Sequence, residues 1–184
     1  PVFFSRIPDS DKSAFFESFQ LKSSEAWLRL DRNKLAVRQE GTASWTATIK
    51  AEKLTKHGVH VAVIEGRAKG QRFLSFEVPV VMVRPHTPGE VLDNDTVWRS
   101  KLGPGAIERH FLSVPPGAES LRLDLTPVDK RYSRSRLYLY DPEGREFASP
   151  HRSVNSESGA TASFEITGER LSTGVWEAVI YATF

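Results

Sequence analysis

Cysteine is absent from this 184-residue chain, which excludes disulfide staples, zinc thiolate sites and a cysteine nucleophile. No apolar run approaches the roughly 20 residues that a membrane-spanning helix needs, and no signal-peptide pattern opens the sequence. Charge of one sign is missing too: 25 Lys+Arg face 23 Asp+Glu, a formal net charge of +2 with a sequence pI near 9.0. That balance is too even to call for nucleic acid or an anionic membrane surface. The glycine signatures of phosphate and dinucleotide sites do not occur, nor does the Gly-x-Ser-x-Gly nucleophile elbow. The nearest approach, Gly41-Thr42-Ala43-Ser44, lies in an alternating strand-like pattern with no small-residue helix after it. With no catalytic constellation, the chain reads as a non-enzyme without a cofactor of its own. It opens on Pro1 rather than Met and so reads as an excised or processed fragment, exported bacterial or cytoplasmic in origin.

What is present is material for a β-rich core. The hydrophobic fraction is 39%, with 11 Phe and 4 Trp, which argues against disorder. Helical signals are scarce: residues 11–20 suit a turn or two of helix, or a strand through Phe15, Phe16 and Phe19. Thereafter short β-rich runs separated by turn residues predict an all-β fold of antiparallel sandwiches. Ala26–Leu30 and Ala43–Ile49 alternate, and Val59, Val61 and Val63 recur at every second residue, which lines one sheet face. The apolar run 73–83 contains Pro79, which removes a ladder donor and belongs at an edge or a bulge. Ser120–Leu125 and Arg136–Tyr140 alternate as well, the latter ending at an Asp141-Pro142-Glu143-Gly144 turn. Residues 175–184 read as a closing strand.

Residues 84–94 carry two prolines and a glycine with little apolar periodicity and read as a linker. The expected modules are 1–85 and 86–184. They differ in charge: the first has 14 Lys+Arg against 9 Asp+Glu, the second 11 against 14.

Few side chains present themselves as candidates for chemistry. His57 and His60 flank a glycine turn, a poor geometry for sharing a metal, and His110 stands in an extended run beside Phe111. Asp93-Asn94-Asp95 resembles the start of a calcium loop, but Trp98 and Pro104 occupy the places where an EF-hand needs glycine and glutamate. Asp93 and Asp95 are therefore candidates only for an irregular calcium site at a sandwich end. Lys130, Arg131, Arg134 and Arg136 put four cations in seven residues around Tyr132. They form either a solvated loop or a docking surface for an acidic patch.

Two stretches carry a resemblance. The first runs from Trp27-Leu28 and Leu30 through Ile49–Leu54 and Gly58-Val59-His60 to Phe76-Glu77-Val78-Pro79-Val80. It resembles the fibronectin-like domain that follows the catalytic domain in subtilisin-like serine peptidases. The second, Gly103–Phe111 leading to Val114-Pro115-Pro116-Gly117-Ala118, is similar to the region after that domain in the tripeptidyl-peptidase II family. Residues 126–184, with Leu137–Gly144 and Gly174–Glu177, look more like a jelly-roll domain of the bacterial pre-peptidase C-terminal type. The resemblance implies a fibronectin-like and then a jelly-roll-like sandwich. Together they would be a non-catalytic accessory segment of a bacterial, tripeptidyl-peptidase II-like peptidase. Its partner would be the upstream catalytic domain of the same chain, which it would stabilise or equip for assembly, homo-oligomer formation or substrate access. The alternative is a module binding a glycan, peptide or envelope component, with Tyr132, Tyr138 and Tyr140 as stacking residues.

Overall fold

The structure, a computed structural model, describes residues 9–39, 41–87, 97–128, 134–147 and 151–183. The chain divides into two compact units, Pro1–Met82 and Val83–Phe184. Both are built from antiparallel strands, and the only α-helix among the described residues is the six-residue α1 (Asp9–Ala14).

In the first unit the strands are β1 (Phe16–Ser23), β2 (Leu28–Leu30), β3 (Lys34–Arg38), β4 (Ala47–Ile49), β5 (Gly58–Ala68) and β6 (Phe76–Arg84). They form a four-stranded sheet, β3-β1-β5-β6, and a β2-β4 pair. Trp27 and Leu28 from one layer bury with Leu54 against Ala62 and Ile64 of β5, and Leu30, Trp45, Val78, Val80 and Met82 close around them. Burying this apolar surface is the driving term for a small sandwich that has no disulfide. The β5 valines do share one face, but it is the outer one: Val59 is 45% and Val61 54% exposed. Ala62 and Ile64, between and beyond them, turn inward. Pro79 falls in β6, an edge strand of its sheet, the placement expected of a residue that lacks an N–H.

The second unit contains β7 (Ile107–Val114), β8 (Ser120–Leu125), β9 (Arg134–Tyr140), β10 (Arg152–Asn155), β11 (Ala162–Thr167) and β12 (Gly174–Ala182). Its larger sheet runs β10-β9-β12-β7 and faces a β11-β8 pair. Leu112, Leu137, Leu139, Trp176 and Ala178 of the larger sheet meet Phe164 and Ile166 of the smaller, so this unit too is a two-layer sandwich. Register lines the core up in rows, Leu112 opposite Trp176, and Leu139 opposite Ala178. Trp176 and Leu139 are both 0% exposed. The Trp176 indole meets Phe147 edge-on at 5.2 Å and donates its Nε1–H to the Ser172 carbonyl at 2.8 Å. The ring is thereby buried without an unpaired donor.

Two local expectations change in the structure. Residues 11–20 divide between α1 and β1 rather than forming one element. Only Ala47–Ile49 of the 43–49 run is strand, and Thr46 donates its N–H to the Asp31 carboxylate at 3.0 Å. The closing strand forms as expected, as the inner strand β12 paired with β9 and β7 on its two sides. The Asp141–Gly144 turn forms as expected, with the Gly144 N–H donating to the Asp141 carbonyl at 2.9 Å and Gly144 at φ +77°.

Two stability predictions follow from the packing. Trp176→Ala should cost about 3–5 kcal/mol, the usual range for emptying a buried aromatic site, measured by urea denaturation. Gly66 tests the opposite error. A Cβ there would lie 2.1–2.5 Å from the Phe76 ring, itself confined by Phe19 edge-on at 5.4 Å and Trp45 stacked at 6.2 Å. Gly66→Ala should therefore destabilise by about 1–3 kcal/mol through overpacking. A double-mutant cycle with Phe76→Leu should return a coupling well away from zero.

Candidate interaction surface

Among the described residues no group of three or more His, Asp or Glu is placed to hold a metal ion. Ser44 lies exposed in an irregular segment. Asp93, Asp95, Lys130, Arg131 and Tyr132 lie outside the described residues. His57 and His60 do not converge on a ligand. His60 instead bonds through Nε2 to the Lys56 carbonyl at 2.7 Å and meets Trp27 edge-on at 6.4 Å.

The second unit presents a surface with more character. Since Leu137 and Leu139 point into the core, strand alternation turns Arg134, Arg136, Tyr138 and Tyr140 to the outer face of the larger sheet. On β12 the same rule turns Glu177, Val179 and Tyr181 outward beside them. Cross-strand register places Tyr181 opposite Arg136, Val179 opposite Tyr138, and Glu177 opposite Tyr140. From β7 come Arg109, whose guanidinium pairs with the Glu177 carboxylate and lies 5.3 Å from the Phe111 ring centre. Tyr138 packs against the His151 ring at 5.0 Å. Partial burial, then the nearby Glu146 and Glu177 carboxylates, push the Tyr140 phenol up, keeping it protonated and a hydrogen-bond donor at neutral pH.

At the start of β9 this face runs into a shallow cleft of about 490 Å³ lined by Arg134, Arg136, Ser153, Asn155, Ser158 and Thr183. Its walls are held by local bonds. Thr183 donates its N–H and its hydroxyl to the Arg134 carbonyl at 2.9 and 3.1 Å. The Asn155 side chain accepts the Glu157 N–H at 3.0 Å, and Ser158 Oγ donates to the Asn155 carbonyl at 2.8 Å. Of the five basic-cluster candidates, Arg134 and Arg136 thus reach the same cleft.

A second cluster escaped the sequence reading, which weighed His110 alone. The His86 backbone pairs with β7, its N–H donating to the Phe111 carbonyl and its carbonyl accepting the Ser113 N–H, both at 2.7 Å. This brings the His86 ring within 6.4 Å of His110, and Trp98 packs on both, 4.9 and 4.7 Å away. His110, with its side chain 10% exposed, has Nε2 3.3 Å from a Glu108 carboxylate oxygen. Burial lowers the His110 pKa and outweighs the opposing pull of Glu108. The folded state therefore holds the proton less well than the unfolded chain, whose histidines titrate near about 6.5. This group costs nothing above that pH, and stability falls as pH drops below it. His110→Phe should flatten the loss of urea-unfolding stability between about pH 7.5 and pH 5, and an unchanged slope would show that His110 is not its source.

No family model matches the chain, and no curated protein matches its sequence. Among solved structures, that of tripeptidyl peptidase 2 (TPP II) is similar, with a TM-score of 0.65 and 19% sequence identity over 95% of this chain. The likeness continues past residue 125, where the motifs of that family stop in the sequence. The chain spans 15% of the length of the TPP II chain. At this identity the likeness shows a shared fold.

Proposed function

We propose that the chain is a non-catalytic accessory segment of a subtilisin-like serine peptidase of the tripeptidyl-peptidase II type. In that role it packs on the catalytic domain of the same polypeptide and stabilises it, or shapes assembly and access of substrate. The observation that carries this reading is the 95% coverage by a TPP II structure at a TM-score of 0.65. It joins the ordered run of motifs between Trp27 and Ala118. Fold likeness alone does not assign function, but here independent sequence motifs and the fold point to the same family. A second reading, a glycan- or peptide-binding module, draws on the outward Tyr138, Tyr140 and Tyr181.

The deciding experiment compares the parent polypeptide with a version lacking this segment. Loss of thermal stability or of native assembly, with no peptide hydrolysis by the purified 184-residue chain, is the expected result. A parent without a peptidase domain, or turnover of peptidyl-coumarin substrates by the segment itself, would reject it. Binding on a glycan array that is lost on Tyr138→Ala would favour the second reading.

A further inference from the structure

We propose that residues 97–100 form an acid-released latch, in which uptake of a proton by His110 lifts Trp98 off β7. This goes beyond the peptidase reading and stands or falls without it, because the latch is read on the chain itself.

The first argument is how the segment is held. No backbone hydrogen bond among the described residues involves residues 97–102. Two side chains of the segment tie it instead to β7 and to the His86 beside that strand. The Trp98 ring packs on His110 at 4.7 Å and on His86 at 4.9 Å. Ser100 Oγ donates to the Glu108 carboxylate. Trp98 is still 36% exposed, so apolar burial of the ring adds less here than in a core. The hold on the segment therefore runs through side chains that carry a charge or take one up.

The second argument is what a proton does there. The His110 side chain is 10% exposed, and the indole lies across its ring with 32° between the planes. An imidazolium donates from both ring nitrogens, and Glu108, 3.3 Å from Nε2, serves one of them. Burial lowers the His110 pKa in spite of Glu108. The docked segment thus faces a histidine that holds its proton less well than a solvated one, which titrates near about 6.5. Lifting Trp98 returns the ring to water, so the latch is at full strength above that pH and weakens as pH falls below it. The surrounding charges do not reverse this sign. Glu108, on the same strand, is the carboxylate that acts on His110. The His86 ring, 6.4 Å away, adds repulsion once both imidazoles are charged. Across the sheet the residue opposite is the neutral Ala178. The adjoining described segments bring Arg84, Arg99 and Lys101, all cations.

The test follows the tryptophan indole signals of the 184-residue chain by nitrogen–proton correlation NMR between about pH 8 and about pH 5. The chain has 4 Trp, and the signal lost in Trp98→Phe identifies Trp98. Below about pH 6.5 that signal should move toward the position of a free indole and lose about half or more of its heteronuclear NOE. The other indole signals should stay in place, showing that the sandwich cores persist. His110→Phe and His110→Gln, neither of which takes up a proton here, should each abolish the movement; the Gln variant decides the matter where Phe does not pack. A Trp98 signal that stays fixed in the parent chain, or moves as far in the His110 variants, would overturn the proposal. A larger NOE at low pH would overturn it too, by showing that the imidazolium stacks on the indole and tightens the contact. Movement of all the indole signals together would do the same, as acid unfolding of the whole unit.

Discussion

The wedge of Trp176 between the two sheets of the second unit is the contact on which the rest of that unit depends. Its ring is fully buried, its single donor is satisfied by Ser172, and Phe147 closes over its edge. Two sheets pack about 10 Å apart only when side chains from both inner faces interdigitate, and the indole fills most of that gap beside Leu139 and Ile166. Once Trp176 points inward, alternation commits Glu177, Val179 and Tyr181 to the opposite face. The β9–β12 register then commits Arg136, Tyr138 and Tyr140 alongside them. The exposed face of the sheet is thus a consequence of the core.

The first unit reaches a similar layout with less apolar surface to spend. Trp27 has the wedge position there, and the inner face of β5 is lined by small and medium residues, with Gly66 opposite Leu21. The glycine leaves room for the Phe76 ring, which takes the volume that a β-carbon would have used. Packing in this layer is therefore shared between a bare backbone and an aromatic ring, a solution that tolerates little change in volume at either place.

Surface charge in the second unit is mostly spent locally, arginine by arginine, on nearby carboxylates and rings. Exposed pairs of this kind add little stability, so their main effect is on what the surface offers a partner. Arg134 and Arg136 line the cleft at the start of β9.

Strand content, the turn at Asp141–Gly144 and the edge placement of Pro79 were legible in the sequence. Each is a local property: a period of two, a proline without an N–H, a glycine at positive φ. The basic cluster was legible as composition, but its arrangement was not. That Arg134 and Arg136 share a cleft with Asn155 and Thr183 depends on pairing between segments some 20 and 50 residues apart. The His86–Trp98–His110 cluster was invisible for the same reason, since nothing along the chain joins those three positions. The valines of β5 make the division plain. By itself the sequence determined that Val59, Val61 and Val63 share a face, because successive side chains on a strand point in opposite directions. Only the tertiary structure decided that this face turns outward, because inside and outside are set by which distant side chains bury together, and there Ala62 and Ile64 met the tryptophan.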